Sequence, residues 1–198
     1  PPTSSEFLEP LIDNHYKGLP HHPAPMRRSQ VGAQGWNVLR GALPLPLAVV
    51  RQDALAGNLA WLQGFARERG LDLAPHGKTT MAPQLFRRQL DAGAWGITFA
   101  NVQQARIGLL AGAERCIIAN QVMEPVDLQG LHALLAERPG RRLLFLVDSV
   151  AQVERIGEWR ARQGAPAARP FEVLLEMGME GGRTGCRDHA TAQAVARA

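Results

Sequence analysis

Short apolar runs along the chain alternate with longer stretches in which apolar residues recur every three or four positions. The short runs, rich in valine, isoleucine and leucine, predict buried strands, and the periodic stretches predict amphipathic helices. The predicted strands are residues 47–50, 71–74, 95–100, 115–119, 143–147 and 171–177. The predicted helices are one capped by Asp53 that stops before Gly70, then 84–92, 102–111, 125–136, 150–162 and a last helix capped by Asp188.

This alternation places a strand about every 20 to 28 residues, which is the length of a βα unit. It predicts an α/β fold with a parallel sheet and helices outside it. An open doubly wound sheet and a (β/α)8 TIM-type barrel both fit the pattern. A closed barrel needs eight strands, and the chain offers six at most. The barrel interpretation therefore predicts an incomplete fragment with further strands beyond Ala198, and a complete open sheet is the alternative.

The first 35 residues differ in composition from the rest, because they are rich in proline, serine and histidine. They predict an extended N-terminal arm, with one short helix at residues 7–12. Residues 36–198 are predicted to form a single β/α domain. A proline- and alanine-rich linker is predicted inside that domain at residues 164–170.

Charge and composition argue against several partners. The formal net charge is +4, but the excess comes from scattered arginines with no basic run interleaved with aromatics, so we expect no nucleic-acid binding. No apolar run approaches the length of a membrane span, and no signal peptide is visible, so we expect no membrane partner. Cys116 and Cys186 form no close pair, which favours reduced thiols and a cytoplasmic location.

Polar residues collect where the predicted strands end, which is one edge of a parallel sheet. His76, Gly77 and Lys78 follow the second strand, and Asn120 and Gln121 follow the fourth. Because ligands bind at the carboxyl ends of strands in β/α folds, these side chains are candidates for a binding site. After the fifth strand, Asp148 and Ser149 are interpreted as caps of the next helix.

A glycine-rich turn, residues 178–188, follows the last predicted strand and carries Arg183. Its glycines allow positive φ or a close approach of the backbone to a ligand. The turn matches neither a P-loop nor a dinucleotide fingerprint. Arg183 is a fixed cation whose planar donors suit a carboxylate, phosphate or phenolate oxygen, with a surface arginine as the alternative.

The chemistry of this edge centres on Lys78. A lysine there is a nucleophilic amine, a phosphate-binding group or a solvated charge. No nucleophile elbow and no zinc-binding motif appears in the sequence. A lysine amine facing an arginine favours an imine with a carbonyl compound, and pyridoxal phosphate is the cofactor that uses such an imine in amino-acid chemistry.

The segments APHGKTTMAP, LDAGAWGITFANVQQA, IIANQV and EMGMEGGRTGCR resemble the D-threonine aldolase and D-serine dehydratase group, in its bacterial amino acid deaminase branch. These are fold-type III pyridoxal-phosphate enzymes with a barrel similar to the N-terminal domain of alanine racemase. The resemblance runs from about Trp36 to the end of the chain. It allows the segment near Leu47 to belong to the family's β-domain, which would leave five barrel strands here. The later barrel strands and most phosphate-binding loops have no counterpart.

The resemblance implies that Lys78 forms the internal aldimine with pyridoxal phosphate. It also implies that His76 lines the cofactor pocket, that Arg183 approaches the phenolic oxygen, and that Asn120 and Gln121 lie near the cofactor. The implied activity is that of a lyase on D-amino acids with a β-hydroxyl, by deamination of D-serine or D-threonine or by aldol cleavage of D-threonine. A non-catalytic cofactor carrier and an amino-acid racemase are the alternatives.

The resemblance also implies partners that this chain does not supply. Homodimers are usual in the family. A divalent metal on the substrate hydroxyl would be bound by residues outside this chain, because the family's metal-binding positions have no counterpart in it. No metal ligand is therefore predicted among the residues present.

Overall fold

The computed structural model describes residues 8–22, 24–163 and 169–198. The predicted linker at 164–170 lies largely outside these residues, as does the start of the predicted N-terminal arm. The chain divides into two compact units, Pro1–Leu62 and Gln63–Ala198. The sequence-based domain boundary after residue 35 stays a prediction.

Before residue 52, the described residues of the first unit form mainly turns and loops. Strands β1 (Leu11–Ile12) and β2 (Met26–Arg27) form a two-stranded antiparallel ribbon. Three 3-10 turns follow, at Arg28–Gln30, Gly32–Gln34 and Val38–Arg40. A helix predicted at residues 7–12 is therefore wrong over β1, and residue 7 lies outside the described part of the chain.

The strand predicted at residues 47–50 is also wrong. This segment forms no ladder in the structure, and Val49 and Val50 are 61% and 68% exposed. Apolar β-branched residues form a strand only when a neighbouring strand supplies hydrogen-bond partners. Among the described residues no such partner pairs with this segment.

Helix α1 (Gln52–Glu68) follows, and the boundary between the two units falls inside it. The predicted helix is confirmed, but Asp53 lies in its first turn and is not its cap. Of the apolar side chains that predicted the helix, Leu62 and Phe65 are 41% and 39% exposed, and Leu55 and Leu59 are half-buried. Its buried residues are Gln63 and Ala66.

The second unit contains a four-stranded parallel sheet covered by helices. Its elements in chain order are α2 (Pro83–Asp91), β3 (Ile97–Phe99), α3 (Val102–Leu110), β4 (Arg115–Gln121), α4 (Pro125–Glu137), β5 (Arg142–Val147), α5 (Val150–Arg162), β6 (Glu172–Leu175) and α6 (His189–Arg197). Proline at the first turn of α2 and α4, and side-chain caps on α3, α5 and α6, start these helices as their sequences predict.

A fifth, irregular strand precedes β3. The backbone of residues 73–77 runs parallel to β3, with Trp95 N donating to Leu73 O at 2.7 Å and Thr98 N to Pro75 O at 2.8 Å. The sheet order is then this segment, β3, β4, β5, β6, which follows the chain. An open doubly wound sheet reverses its order at a switch point, whereas a barrel does not. The unbroken order therefore favours the barrel interpretation.

The hydrophobic core lies between the sheet and its helices. Phe86 of α2 contacts Phe99 of β3 edge to face, with ring centroids 5.3 Å apart, and both rings are fully buried. Phe145 of β5 packs against Phe171 in the same way at 5.8 Å. This core fixes the strands whose carboxyl ends carry the candidate site. Among the described residues, no helix combines the length and the apolar character needed to cross a membrane.

Candidate active site

Lys78 lies in a tight turn directly after the irregular strand 73–77, at the carboxyl edge of the sheet. The turn is fastened at both ends, because Gly77 N donates to Thr98 O at 2.8 Å and Met81 N donates to Gly77 O at 3.0 Å. Lys78 is exposed, and within the described part of the chain no hydrogen bond or ion pair restrains its amine. The amine is therefore available to a ligand.

Met81 closes this turn in an unusual backbone conformation. Its φ of +42° lies in the left-handed region, which costs a residue other than glycine about 1–2 kcal/mol. Its side chain is partly buried and packs against the core, which supplies the compensating contact. Backbone strain of this kind is common beside functional groups. The strain here lies three residues from Lys78.

His76 lies on the same segment and reaches the carboxyl edge. Its backbone forms an isolated parallel bridge with Thr98, and its side chain is exposed. The Thr98 hydroxyl donates to Ala74 O at 2.7 Å, which ties the segment to β3 a second time. His76 and Lys78 therefore lie two residues apart, directly after a backbone segment that hydrogen bonds to Thr98 hold against β3.

A β-bulge near the end of β4 separates Asn120 from Gln121. Ile118 pairs with Phe145, but Gln121 pairs with Leu146, so extra residues on β4 oppose β5 at this point. Such a bulge redirects side chains. Asn120 is exposed and its amide lies 3.5 Å from Ala100 O, whereas Gln121 is half-buried.

Gln121 joins two carboxylates that follow the neighbouring strands. Its Nε2 atom donates to Asp148 Oδ2 at 2.9 Å and to Glu176 Oε2 at 2.8 Å. A primary amide has two N–H donors, so both are used here. Only the carbonyl oxygen of Gln121 remains for a ligand, and it accepts hydrogen bonds. Gln121 therefore suits a ligand group that donates a proton.

The prediction that Asp148 caps a helix is wrong, whereas the prediction for Ser149 is confirmed. Ser149 Oγ accepts from Gln152 N at 3.3 Å and caps α5. The carboxylate of Asp148 instead accepts from Gly185 N at 2.9 Å as well as from Gln121. A cap bonds within its own helix, and Asp148 bonds to two other segments of the chain.

The glycine-rich turn carries two arginines with different surroundings. Arg183 is exposed and makes no hydrogen bond or ion pair within the described residues. Arg187 donates to backbone carbonyls inside the turn. Arg183 is therefore the cation that a ligand can reach, and Arg187 is used by the turn itself.

The structure joins some of the predicted site residues and leaves others separate. Gln121 is linked to the glycine-rich turn through Asp148 and Glu176. No hydrogen bond or ion pair among the described residues joins Lys78 or His76 to this network. Within the described chain, no group of three or more His, Cys, Asp or Glu side chains could hold a metal ion.

Cys186 lies beside this network as a buried thiol. Its Sγ donates to Asp148 O at 3.3 Å, and burial raises the pKa of the thiol above its ordinary value. A buried thiol with a raised pKa is a poor nucleophile. Among the described residues, Lys78 rather than Cys186 is therefore the candidate nucleophile of this edge.

Comparison with known proteins gives two curated relatives, and no family model matches the chain. D-threo-3-hydroxyaspartate dehydratase from Delftia sp. strain HT23 is 34% identical over 143 residues, which are 72% of this chain and 36% of the relative. D-threonine aldolase from Arthrobacter sp. is 28% identical over 152 residues, which are 77% of this chain and 38% of the relative. The chain is a homologue of these two enzymes. It spans little more than a third of their length.

Solved structures agree with this assignment. D-threonine aldolase from Filomicrobium marinum superposes with a TM-score of 0.68 at 28% identity, covering 79% of this chain and 42% of that one. An alanine racemase-like protein from Idiomarina loihiensis superposes with a TM-score of 0.55 at 23% identity, covering 71% and 37%, and supports the fold alone. The resemblance inferred from the sequence motifs and the alanine racemase-like barrel fold are therefore confirmed.

Sequence reasoning missed two residues of this edge, Glu176 and Arg187. Glu176 was not recognised as a candidate because it fell inside the predicted strand 171–177, whereas β6 ends at Leu175. With the observed end, Glu176 is a polar residue directly after a strand, which is the signal that revealed Gln121. Arg187 carries no such signal, because its contacts depend on the path of the turn.

Proposed function

We propose that this protein is a pyridoxal-phosphate-dependent lyase acting on D-amino acids that carry a β-hydroxyl. The observation that carries the proposal is Lys78, an exposed amine at the carboxyl edge of a barrel homologous to D-threonine aldolase. The names of the two curated relatives support the substrate class, since threonine and 3-hydroxyaspartate both have a hydroxyl on the β-carbon.

The groups at this edge fit the cofactor's chemistry. Pyridoxal phosphate presents an aldehyde and anionic oxygens, and when bound it withdraws electrons from the substrate's α-carbon. Lys78 is the amine that would hold the aldehyde. Arg183 has no partner among the described residues, so its guanidinium would pair with an anionic oxygen of the cofactor.

Amide and imidazole groups complete the proposed pocket. Asn120 is exposed and keeps hydrogen-bonding capacity beyond its long contact with Ala100 O. Gln121 would offer only its carbonyl oxygen, because its N–H donors are bonded to Asp148 and Glu176. His76 is exposed on the segment that carries Lys78 and would line the pocket.

Lys78 would also move a proton in the reaction. With the cofactor bound, the Lys78 amine would act as the base that takes the proton from the substrate's Cα atom. Departure of the β-hydroxyl as water, followed by hydrolysis of the released enamine to ammonia and a 2-oxo acid, would then give deamination. In aldol cleavage the Lys78 amine would instead take the proton of the β-hydroxyl. The Cα–Cβ bond would then break to release an aldehyde, and a proton returned to Cα would give glycine. The fastened turn between Gly77 and Met81 would keep the amine in reach through these steps.

We also propose that the protein works in the cytoplasm as a homodimer. Cys116 and Cys186 are both buried free thiols, as is usual in a reducing compartment. The homodimer follows from the family resemblance. Light scattering on the purified protein tests it, and a mass of one chain at micromolar concentration would contradict it.

An assay with D-serine, D-threonine and D-threo-3-hydroxyaspartate tests the proposed activity. Ammonia with a 2-oxo acid indicates dehydration, and glycine with an aldehyde indicates aldol cleavage. We expect Lys78→Ala to lower the rate about a thousandfold, and Lys17→Ala, which replaces the only other lysine, to leave it unchanged. Cofactor binding without product would mean a carrier, and equal loss in both variants would also contradict the proposal.

A further inference from the structure

The glycine-rich turn is built around the guanidinium of Arg187. Arg187 Nη1 donates to Met179 O at 2.6 Å and to Thr184 O at 3.0 Å, and its Nη2 donates to Gly182 O at 2.7 Å. Three carbonyls from the two sides of the turn therefore converge on one planar cation. Hydrogen bonds from a charged donor are stronger than neutral ones, so this contact set stabilises the turn without a ligand.

The glycines of the turn are required by its internal packing. A Cβ atom on Gly178 would lie 2.2 Å from Thr184 O and 2.6 Å from Arg187 Nη1. Gly185 has a φ of +95°, and a Cβ there would lie 2.5 Å from Gly178 N. These two glycines therefore let the two sides of the turn approach each other. Packing within the turn therefore explains Gly178 and Gly185 without a ligand close to the backbone.

Two carboxylates fasten this turn to the carboxyl edge of the sheet. The Thr184 hydroxyl donates to Glu176 Oε1 at 3.1 Å, and Gly185 N donates to Asp148 Oδ2 at 2.9 Å. Gln121 donates to the other oxygen of Glu176 and to the same oxygen of Asp148, so the two carboxylates are themselves held. The ends of β4, β5 and β6 thus share one hydrogen-bond network with the turn.

Arg183 lies between the residues that these contacts hold. The carbonyls of Gly182 and Thr184 bond to Arg187, and the hydroxyl of Thr184 bonds to Glu176. The backbone on each side of Arg183 is fixed, whereas its own side chain has no partner among the described residues. A fixed backbone with an unoccupied cation is the arrangement expected of a preorganised anion-binding residue.

We infer that Arg187, Asp148 and Glu176 are positioning residues that hold the glycine-rich turn before any ligand binds, and so preset Arg183. The role of Arg183 toward an anionic cofactor rests on the proposed function. The rigidity of the turn does not depend on the proposed function, because it follows from contacts within this chain. The two parts can therefore be tested separately.

The first test measures the cofactor-free protein by trypsin cleavage after Arg183 and by hydrogen exchange at Gly185 N. Because Arg187→Ala removes three hydrogen bonds, we expect both rates to rise about tenfold or more. Arg106→Ala, an exposed arginine on α3, should leave both unchanged. Thr184→Val removes only the hydroxyl contact, so it should raise both rates by less than Arg187→Ala does. Thr184→Ser keeps the hydroxyl and should leave both rates unchanged.

The thermal transition shows whether Arg187→Ala folds. If it does not fold, the comparison of Thr184→Val with Thr184→Ser tests whether the internal contacts hold the turn. Unchanged cleavage and exchange in folded Arg187→Ala, or in Thr184→Val when the former is unfolded, would overturn the inference. A protein whose turn is protected but which binds no pyridoxal phosphate would contradict the proposed function and leave this inference intact.

The second test measures whether Arg187 affects cofactor binding through Arg183. Pyridoxal-phosphate affinity is measured in Arg183→Ala, in Arg187→Ala and in the double variant. If Arg187 acts through Arg183, the effects of the single substitutions will not add, and the double variant will bind like Arg183→Ala. Arg183→Ala should leave exchange at Gly185 N unchanged. Additive losses would show that Arg187 does not act through Arg183 and would overturn its positioning role.

Discussion

Gly77 lies so close to Phe99 that a Cβ atom at position 77 would stand 2.8 Å from the Phe99 Cε1 atom. Phe86 Cε1 would be 2.7 Å from the same Cβ, and both rings are fully buried. Neither ring can move without disturbing the core. The residue before Lys78 must therefore be glycine for a packing reason, and the position of the Lys78 turn depends on this contact.

Gly77→Ala is therefore expected to lower both stability and cofactor binding. Overpacking of a filled core costs about 1–3 kcal/mol, and relief by backbone movement would shift Lys78. Gly64→Ala is the control, because its Cβ would meet nothing within 4 Å in helix α1; it should stabilise by up to about 1 kcal/mol. Urea unfolding measures both variants. A stable Gly77→Ala with normal cofactor binding would contradict this view.

The ion pair between Arg142 and Glu172 predicts a pH dependence of stability. The hydrogen bond from Arg142 holds the pKa of the Glu172 carboxyl below its ordinary value, and Arg169 adds a second contact at 3.0 Å. A carboxyl whose pKa is lower in the folded state stabilises the fold above the unfolded-state pKa of about 4.3. That stability is lost as the pH falls through the folded-state pKa.

Glu172→Gln should therefore be less stable than the parent at neutral pH and lose less stability on acidification. Glu137→Gln is the matched control, since Glu137 is an exposed glutamate at the end of α4. The measurement is urea unfolding at neutral pH and again below pH 4. The same acid-induced loss in Glu172→Gln as in the parent would show that this pair does not contribute.

The two cysteines are expected to be unreactive in the folded protein. Burial raises the pKa of Cys116 to about 12, and burial together with the nearby Asp148 raises the pKa of Cys186. The thiolate is the reactive form, so Ellman's reagent at pH 8 should modify neither until urea is added. Ala190→Cys, at an exposed site on α6, is the positive control. Rapid modification of Cys116 in the native protein would contradict the buried position of β4.

The sequence predicted the regular elements best where the pattern was local. Helix α5 spans the residues that its spacing predicted, and Ser149 caps it. The strand predicted at residues 47–50 was wrong because a strand depends on a neighbouring strand, which the local pattern does not reveal. The prediction that Asp148 caps a helix was wrong for a related reason. Its position before a helix suggests a cap, but its carboxylate bonds to Gly185, which lies 37 residues further along the chain.

The candidate site could be predicted only as a set of residue types at one edge. The sequence identified Lys78, His76, Asn120, Gln121 and Arg183 because each follows a predicted strand or lies in the glycine-rich turn. It singled out Arg183 but gave no sign that Arg187 holds the turn in place. The difference lies in which guanidinium the carbonyls of the turn surround, and that depends on the folded path of the backbone.

The site at which pyridoxal phosphate attaches tests the central claim most directly. The chain contains two lysines, Lys17 and Lys78, so borohydride reduction after incubation with the cofactor, followed by peptide mass mapping, gives a clear answer. We predict that the cofactor is fixed to Lys78 at stoichiometric yield and that Lys17→Ala leaves this unchanged. Attachment to Lys17 in preference to Lys78, or no attachment to either lysine, would contradict the account.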